Sequence, residues 1–332
     1  MSSDYGIEVR FVTPEEASLL TGLIRRCYGE TYIDPSFYSE TLVAELLASG
    51  RLHSIGAFTE AGQLVGHMGI RMRSRGGITA DAGMTLVDPG CRGRGIARRV
   101  AVGLAQQAMA LGLVGVHDYP VTVHAATQRI GAGFGVDTGL MLANMPSDVV
   151  FQDMETPAPG LRTSSVIRWL PFGRAPERSV YLPERYRAQL EALYAEANLL
   201  RTVLQPDELL AEPESELDQA YDERRLILRI VVTRAGSDLA SRVETAKRGA
   251  ARRSGLVAHI DLSLSDPATP AATEVLRAQG FSFAGLLPEY RDGDVLRMQW
   301  LSDSVDCAAF SVFSNDSSRK IESFVWSDRG GS

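Results

Sequence analysis

The sequence predicts an α/β (α+β) chain of two similar domains, each with strands and helices interleaved. Three observations carry this. The 332 residues exceed what a single domain of the usual size, roughly 100 to 200 residues, fills with one core. Short apolar runs of strand character alternate along the chain with segments whose apolar residues recur at helical spacing. A local pattern also occurs twice: Ala125-Ala-Thr127 leads to Gly133-Phe134 and Gly139-Leu140, and Ala271-Ala-Thr273 leads to Gly280-Phe281 and Gly285-Leu286. Such self-similarity is how a duplicated unit shows itself.

Gly6 to Val12 alternates as a strand. Thr13-Pro-Glu-Glu16 then has the form of a capping box with proline at the first helical position, so a helix is expected from Pro14 to Tyr28. Turn residues fill Gly29 to Asp34, and Pro35 to Ser49 repeats leucines and aromatics at helical spacing. Ser54 to Phe58 and Leu64 to Met72 read as a hairpin, and Ile78 to Val87 as a further strand. Gly95 to Leu111 is an alanine-rich helix, Val114 to His117 a brief strand, Val123 to Ala132 a helix and Phe134 to Met145 a strand. The prolines and glycine of Thr156-Pro-Ala-Pro-Gly160 cannot continue regular structure. They put a first domain at residues 1–153, a linker at 154–165 and a second domain at 166–332. Beyond the linker come a strand at Val166 to Leu170, a helix at Pro183 to Ala197 and an acidic stretch, Asp207 to Glu223, read as a solvated helix or loop. A strand at Leu226 to Val232, a helix at Asp238 to Ser254, a strand at Leu256 to Leu262, a helix at Ala271 to Gln279 and strands up to Leu301 complete the second half.

Apolar residues at 45% and charged residues at 23% exclude wholesale disorder and collagen-like or coiled-coil designs. A net charge of −7 argues against a surface built to coat nucleic acid or an anionic membrane. No run of about 20 apolar residues occurs, so no membrane span is expected. Cys27, Cys91 and Cys307 fit neither a disulfide framework nor a zinc site, and the histidines have no metal-like company. No metal and a reducing cytoplasm are therefore expected.

The strongest chemical signal is Val87-Asp-Pro-Gly-Cys-Arg-Gly-Arg-Gly-Ile-Ala97, a strand running through a glycine-rich turn into a long helix. Glycines allow positive φ and close approach of the backbone to a ligand. The helix start supplies unpaired N–H groups and the positive end of the dipole, which suit a phosphate or pyrophosphate. Without lysine followed by serine or threonine the turn is no Walker loop, and its glycine spacing misses the dinucleotide fingerprint.

Arg92-Gly93-Arg94-Gly95-Ile96-Ala97 resembles the R-x-x-G-x-A acyl-CoA motif of the GNAT N-acetyltransferase superfamily, and the element order from Gly6 to Met145 is similar to that fold. The resemblance implies two GNAT-like domains, each a mixed, mostly antiparallel sheet flanked by helices. The second is implied to be a degenerate copy, since no arginine-led glycine turn stands between Leu226 and Leu256. It implies an N-acyltransferase that moves an acyl group from acyl-CoA, or from the phosphopantetheine of an acyl or peptidyl carrier protein, to a small-molecule amine. Amides of Arg92 to Ala97 would hold the pyrophosphate, and Leu86 and Val87 would pair with pantetheine. Asp81 stands where members of the family commonly carry a glutamate base on the central strand, and it is equally readable as a solvated edge carboxylate. Arg129 stands where many carry the tyrosine that protonates the thiolate. His124, on an expected helical face with Gln128, could handle that proton or simply pack at the helix start. Tyr28, Glu30, Tyr32 and Asp34 fall in the connection that borders the acceptor in the family. Arg242, Lys247, Arg248, Arg252 and Arg253 cluster on one expected helix, able to receive an acidic carrier protein, the phosphate arm of a donor or an RNA, and more simply read as a solvated face. An aminoacyl-tRNA donor and a non-catalytic acyl-CoA-sensing module are the alternatives.

Overall fold

The computed structural model describes residues 6–131, 133–154, 160–206, 210, 212–305 and 311–330. The first half begins with β1 (Ile7–Phe11), after which Thr13 and Glu16 form the expected capping box, Thr13 N–H donating to Glu16 Oε2 at 3.0 Å. Then follow α1 (Ala17–Tyr28), α2 (Glu40–Ala48), β2 (Leu52–Thr59), β3 (Leu64–Met72), β4 (Thr79–Val87), α3 (Ile96–Ala110), β5 (Gly115–Asp118), α4 (Ala126–Ile130) and β6 (Val136–Met145). Next in the chain are β7 (Thr163–Pro171), β8 (Arg178–Val180), α5 (Arg187–Glu196), β9 (Arg201–Val203) and β10 (Glu216–Asp222). They lead to β11 (Ile227–Arg234), α6 (Leu239–Ala251), β12 (Val257–Ser263), α7 (Thr269–Arg277), β13 (Ser282–Arg291), β14 (Gly293–Leu301) and α8 (Asp316–Gly330).

Twelve strands form one mixed sheet in the order β1-β2-β3-β4-β5-β7-β6-β13-β14-β12-β11-β10, with β8 and β9 a separate pair. Outward from its centre the sheet reads β6-β7-β5-β4-β3 on one side and β13-β14-β12-β11-β10 on the other. On both sides one pair is parallel, β4 with β5 and β11 with β12. The second half thus repeats the strand order and sense of the first.

β2 is buried on both faces, sending Ile55 and Ala57 toward α3 and Leu52 and Phe58 toward α1 and α2, so helices cover both faces of the first half. The two halves meet where Gly139 of β6 pairs with Gly285 of β13, the repeated glycines of the sequence pattern. A Cβ on Gly139 would lie 2.2 Å from Ala284 O, so only glycine lets the strands approach this closely.

Three elements differ from the sequence reading. Strand β7, expected to open the second domain, lies between β5 and β6, so the segment before it connects two strands of one sheet. Proline and glycine mark a break in regular structure without saying what it joins; residues 155–159 of that segment lie outside the described ones. Part of the acidic stretch is the outermost strand β10, whose charges suit a sheet edge that must stay unpaired; residues 207–209 and 211 lie outside the described ones. The helix expected from Val123 to Ala132 is only Ala126–Ile130, with Ala132 outside the described residues and Val121 bridging to Ser165 of β7.

Helix α8 has no apolar stripe strong enough to announce it. It is fastened by buried Asp328, which accepts from Arg185 Nε and Tyr186 OH at 2.8 Å, Arg277 Nη1 at 2.9 Å and Phe283 N at 2.8 Å. Asp328→Ala leaves these donors without their acceptor and is expected to cost about 3 kcal/mol, as loss of a buried pair's partner does. A shift of the urea midpoint at constant m checks it, and an unchanged midpoint would refute the clamp.

Candidate active site

Strand β4 pairs with β5 only over Thr79 to Asp81. Past Asp81 the pairing stops because β5 ends at Asp118, its other edge being paired with β7 along its whole length. The β4 edge from Ala82 to Val87 therefore faces a gap with no strand opposite, and its N–H and C=O groups are available to an extended ligand. On its other side β4 carries a bulge against β3, with a register shift between His67 and Gly69 and Met84 at φ 53°. Buried His67 fastens it, 2.9 Å from Met84 O through Nδ1 and 2.9 Å from Ser54 Oγ through Nε2. Burial pushes His67 down to about 4, so it is neutral at neutral pH, donating from Nδ1 to the carbonyl and accepting from the serine.

At the head of the gap β4 runs into the glycine turn. Gly93 and Gly95 have φ of 75° and 73°, and nothing lies within 4 Å of a Cβ built at either. Asp88 shapes the approach, accepting from Gly90 N at 3.1 Å and Arg26 Nε at 2.6 Å. The open N-terminus of the 15-residue α3 follows at once, so the free amides point into open space.

A cavity of about 650 Å³ runs from this turn through the gap to the second half of the chain. Leu86, Val87, Arg92, Gly93, Gly95, Ile96 and Ala97 line its first end. Asp81, His124, Tyr28, Tyr32 and Asp34 line it further in. Arg94 does not; it turns back to donate to Gly90 O at 3.2 Å. Glu30 is exposed and pairs with Arg25 at 3.1 Å. Arg129 is exposed on α4, away from the cavity, so it takes no place in the expected thiolate position. His124 precedes the shortened α4, and Gln128 is spent on backbone carbonyls, its Nε2 donating to Val121 O, Val312 O and, at 3.3 Å, His124 O. The shared helical face expected for His124 and Gln128 does not form.

Asp81 is held by Arg73, and Tyr119 OH donates to its Oδ1 at 3.2 Å. Burial raises Asp81 above the ordinary carboxylate value despite these partners. Asp34 is the opposite case: burial works against it, but hydrogen bonds from Ser36 and Arg71 prevail and hold it low. Burial, with the charge of Arg92 adding to it, lowers His124, so it is a neutral ring against Phe151 and no charged acid. Cys27 is pushed up to about 11 by burial and is a packed thiol.

Sequence reasoning passed over Asp118 and Tyr119, which line the cavity at the end of β5. Burial pushes Asp118 up to about 6, with the Arg168 charge opposing. A carboxyl poised near neutrality in a cleft is suited to general-base work. The signal was present: both residues stand at the carboxyl end of a strand parallel to its neighbour, where open α/β sheets gather ligands. Arg225, Arg229, His259, Tyr290 and Arg297 of the second half also line the cavity, and nothing local announced them. The basic residues of α6 and of the turn after it are mostly engaged: Arg242 with Asp238 at 3.8 Å, Lys247 and Arg248 with Glu244 at 3.5 and 3.4 Å, and, past the helix end, Arg253 with Glu223. Among the described residues no group of three or more metal-ligating side chains gathers, and no helix is long and apolar enough to cross a membrane.

The fold and the cavity define a split-sheet α/β protein whose open strand edge leads from a phosphate-type glycine turn. Residues 19–127, about a third of the chain, match the family described as "Acetyltransferase (GNAT) family". No curated protein matches. The chain is similar to a GNAT family N-acetyltransferase from Escherichia coli solved with CoA, at 17% identity over 52% of this chain and 84% of that one, with a TM-score of 0.34. It is also similar to a phosphinothricin acetyltransferase from Sinorhizobium meliloti solved with acetyl-CoA, at 16% identity over 51% and 90%, with a TM-score of 0.42. The ribosomal-protein-S18-alanine N-acetyltransferase from Escherichia coli follows at 15% identity over 51% and 96%, with a TM-score of 0.38.

Proposed function

We propose that the chain is an N-acyltransferase that binds one pantetheine thioester in the gap between β4 and β5 and passes its acyl group to an amine. The observation that carries this reading is the unpartnered β4 edge, Ala82 to Val87, ending in the open turn Gly93–Gly95 at the start of α3. The pyrophosphate of the donor lies on the turn, the pantetheine amides pair with the edge, and the thioester carbonyl reaches the bulge at Met84. The amine nitrogen attacks the carbonyl carbon, its surplus proton goes to a carboxylate at the inner end of the cavity, and the carbon–sulfur bond breaks. The released thiolate then takes up a proton. Holding amine and thioester together supplies much of the acceleration.

The second half is a diverged copy without a donor site of its own. Its equivalent turn, between β11 and α6, is filled from inside: Gly236 N donates to Ser215 Oγ at 2.9 Å, and a Cβ there would lie 2.5 Å from the Glu214 backbone. Asp238 Oδ1 accepts from Ser215 N at 2.6 Å beside the start of α6. The paired basic residues in and just after α6 and the net charge of −7 favour free CoA over aminoacyl-tRNA as the form of the donor.

Calorimetry with CoA is expected to give one site per chain. Gly93→Val should weaken binding by about tenfold or more, since it strains a left-handed position and puts bulk where the anion sits. The same left-handed strain should cost about 1–2 kcal/mol of stability whatever the space around that Cβ, so the thermal midpoint should fall by a few degrees with the fold retained. Two equivalent sites, or equal CoA affinity in the variant, would refute the assignment; binding of acylated carrier protein but not CoA would move the donor to the carrier.

A further inference from the structure

The far end of the cavity is built by the second half and is basic in a way the donor does not explain. Arg229 of β11 stands opposite His259 of β12 in the parallel register, and both line the cavity with Arg225 and Arg297. Arg297 is fully matched, gripping Asp261 through Nε at 2.7 Å and Nη2 at 2.8 Å. Arg225 and Arg229 are not: they share the single carboxylate of Asp222, at 2.9 and 3.3 Å. Among the described residues one positive charge is thus left over, on a guanidinium about half exposed to the cavity side. His259 Nε2 is buried without a hydrogen-bond partner among them. Burial and the nearby Arg297, Arg229, Arg225 and Arg162 charges hold His259 far below its usual value, so the ring is neutral in a positive field.

This end lies close to the reacting end. Tyr290 carries Arg73, the partner of Asp81, at 4.1 Å from its ring centre and Arg297 at 5.3 Å. Arg229 lines the same cavity, so an acceptor with its amine at the inner carboxylates, Asp81 and Asp118, can set a second group against Arg229.

Resting on the acyltransfer reading, we infer that the acceptor is an amine bearing a carboxylate, held by the Arg225–Arg229 pair beside His259. A guanidinium fork matches a carboxylate in two parallel hydrogen bonds. One surplus positive charge matches its single negative charge better than the nearly double charge of a phosphate.

The test titrates the full chain by calorimetry with the twenty common amino acids, their decarboxylated amines and inorganic phosphate, with CoA measured alongside. At least one amino acid should bind the wild type about tenfold or more tighter than its decarboxylated amine, and Arg229→Gln should remove that advantage while leaving CoA affinity unchanged. Arg229→Lys should keep part of it, and Asp222→Asn, which frees the shared carboxylate's two partners, should strengthen it. Equal binding of acid and amine, an advantage that survives Arg229→Gln, or no amino acid binding to a chain that binds CoA would each overturn the inference. Phosphate binding that alone depends on Arg229 would replace the carboxylate by a phosphate, and loss of CoA affinity in Arg229→Gln would assign the charge to the donor. Absence of CoA binding to the wild type would sink the acyltransfer reading instead, with the contrast between acid and amine still legible.

Discussion

Gly139→Val is expected to unfold the chain or cost it more than about 3 kcal/mol, the upper range for forcing bulk into a packed interior. The added Cβ would meet Ala284 O at 2.2 Å and Gly285 Cα at 2.4 Å. Both are backbone atoms of β13, which cannot swing aside as the tip of a side chain can. The position is reciprocal, since a Cβ on Gly285 would lie 2.8 Å from Gly139 Cα and 2.7 Å from Ile167 Cδ1. This register pair between β6 and β13 sits beside the bonds of Gln299 to Leu140 O and Leu142 N, so pushing it apart strains the seam between the halves that build the cavity. Urea unfolding of Gly139→Val beside Gly249→Ala separates this from a general intolerance of larger residues. Gly249 lies in α6 with nothing within 4 Å of an added Cβ, so alanine there should be neutral or stabilising by up to about 1 kcal/mol. Wild-type stability in Gly139→Val would mean the two glycines are an accident of composition.

That pair marks how far the sequence could be read. The repeat around Gly139 and Gly285 was visible as a pattern, but its use, two strands crossing at a distance only glycine permits, depends on a partner 146 positions away in the chain. Elements whose evidence is local were legible for the same reason that they form. The Thr13–Glu16 box caps α1, and the apolar residues of α3 recur because one face must cover β2 and β3. The glycine turn was legible because positive φ at Gly93 and Gly95 is a local requirement. Strand β7 was misplaced because apolar alternation says that a strand exists and not which neighbours it takes. Within the site, the family position drew the sequence reading to Asp81 and left Asp118 out; burial and partners distinguish them, and both are properties of the folded chain. Arg129 was placed in the site by its correspondence to a tyrosine of the family, and on α4 it faces solvent.

Asp118→Asn is expected to lower turnover about a hundredfold to ten-thousandfold, the contribution of a positioned base, with CoA affinity unchanged. Asp81, the carboxylate expected from sequence, is already committed to Arg73 and Tyr119, whereas Asp118 takes only the Tyr119 N–H, at 3.0 Å. A base must be ionised to accept, so with Asp118 at about 6 the rate should fall as pH drops through that value, and the variant should lose this limb. Stability supplies a second readout of opposite sense. Burial raises Asp118 above the ordinary aspartate value of 3.8, so between about 4 and 6 the folded chain holds a proton that the unfolded chain has released. Stability from this group is therefore lost as pH rises across that window, by up to about 3 kcal/mol, and Asp118→Asn should flatten the dependence. If the acid limb persists in Asp118→Asn and vanishes in Asp81→Asn, the base is Asp81. If all three rate profiles overlay, the amine arrives already neutral, and the catalysis rests on holding it against the thioester.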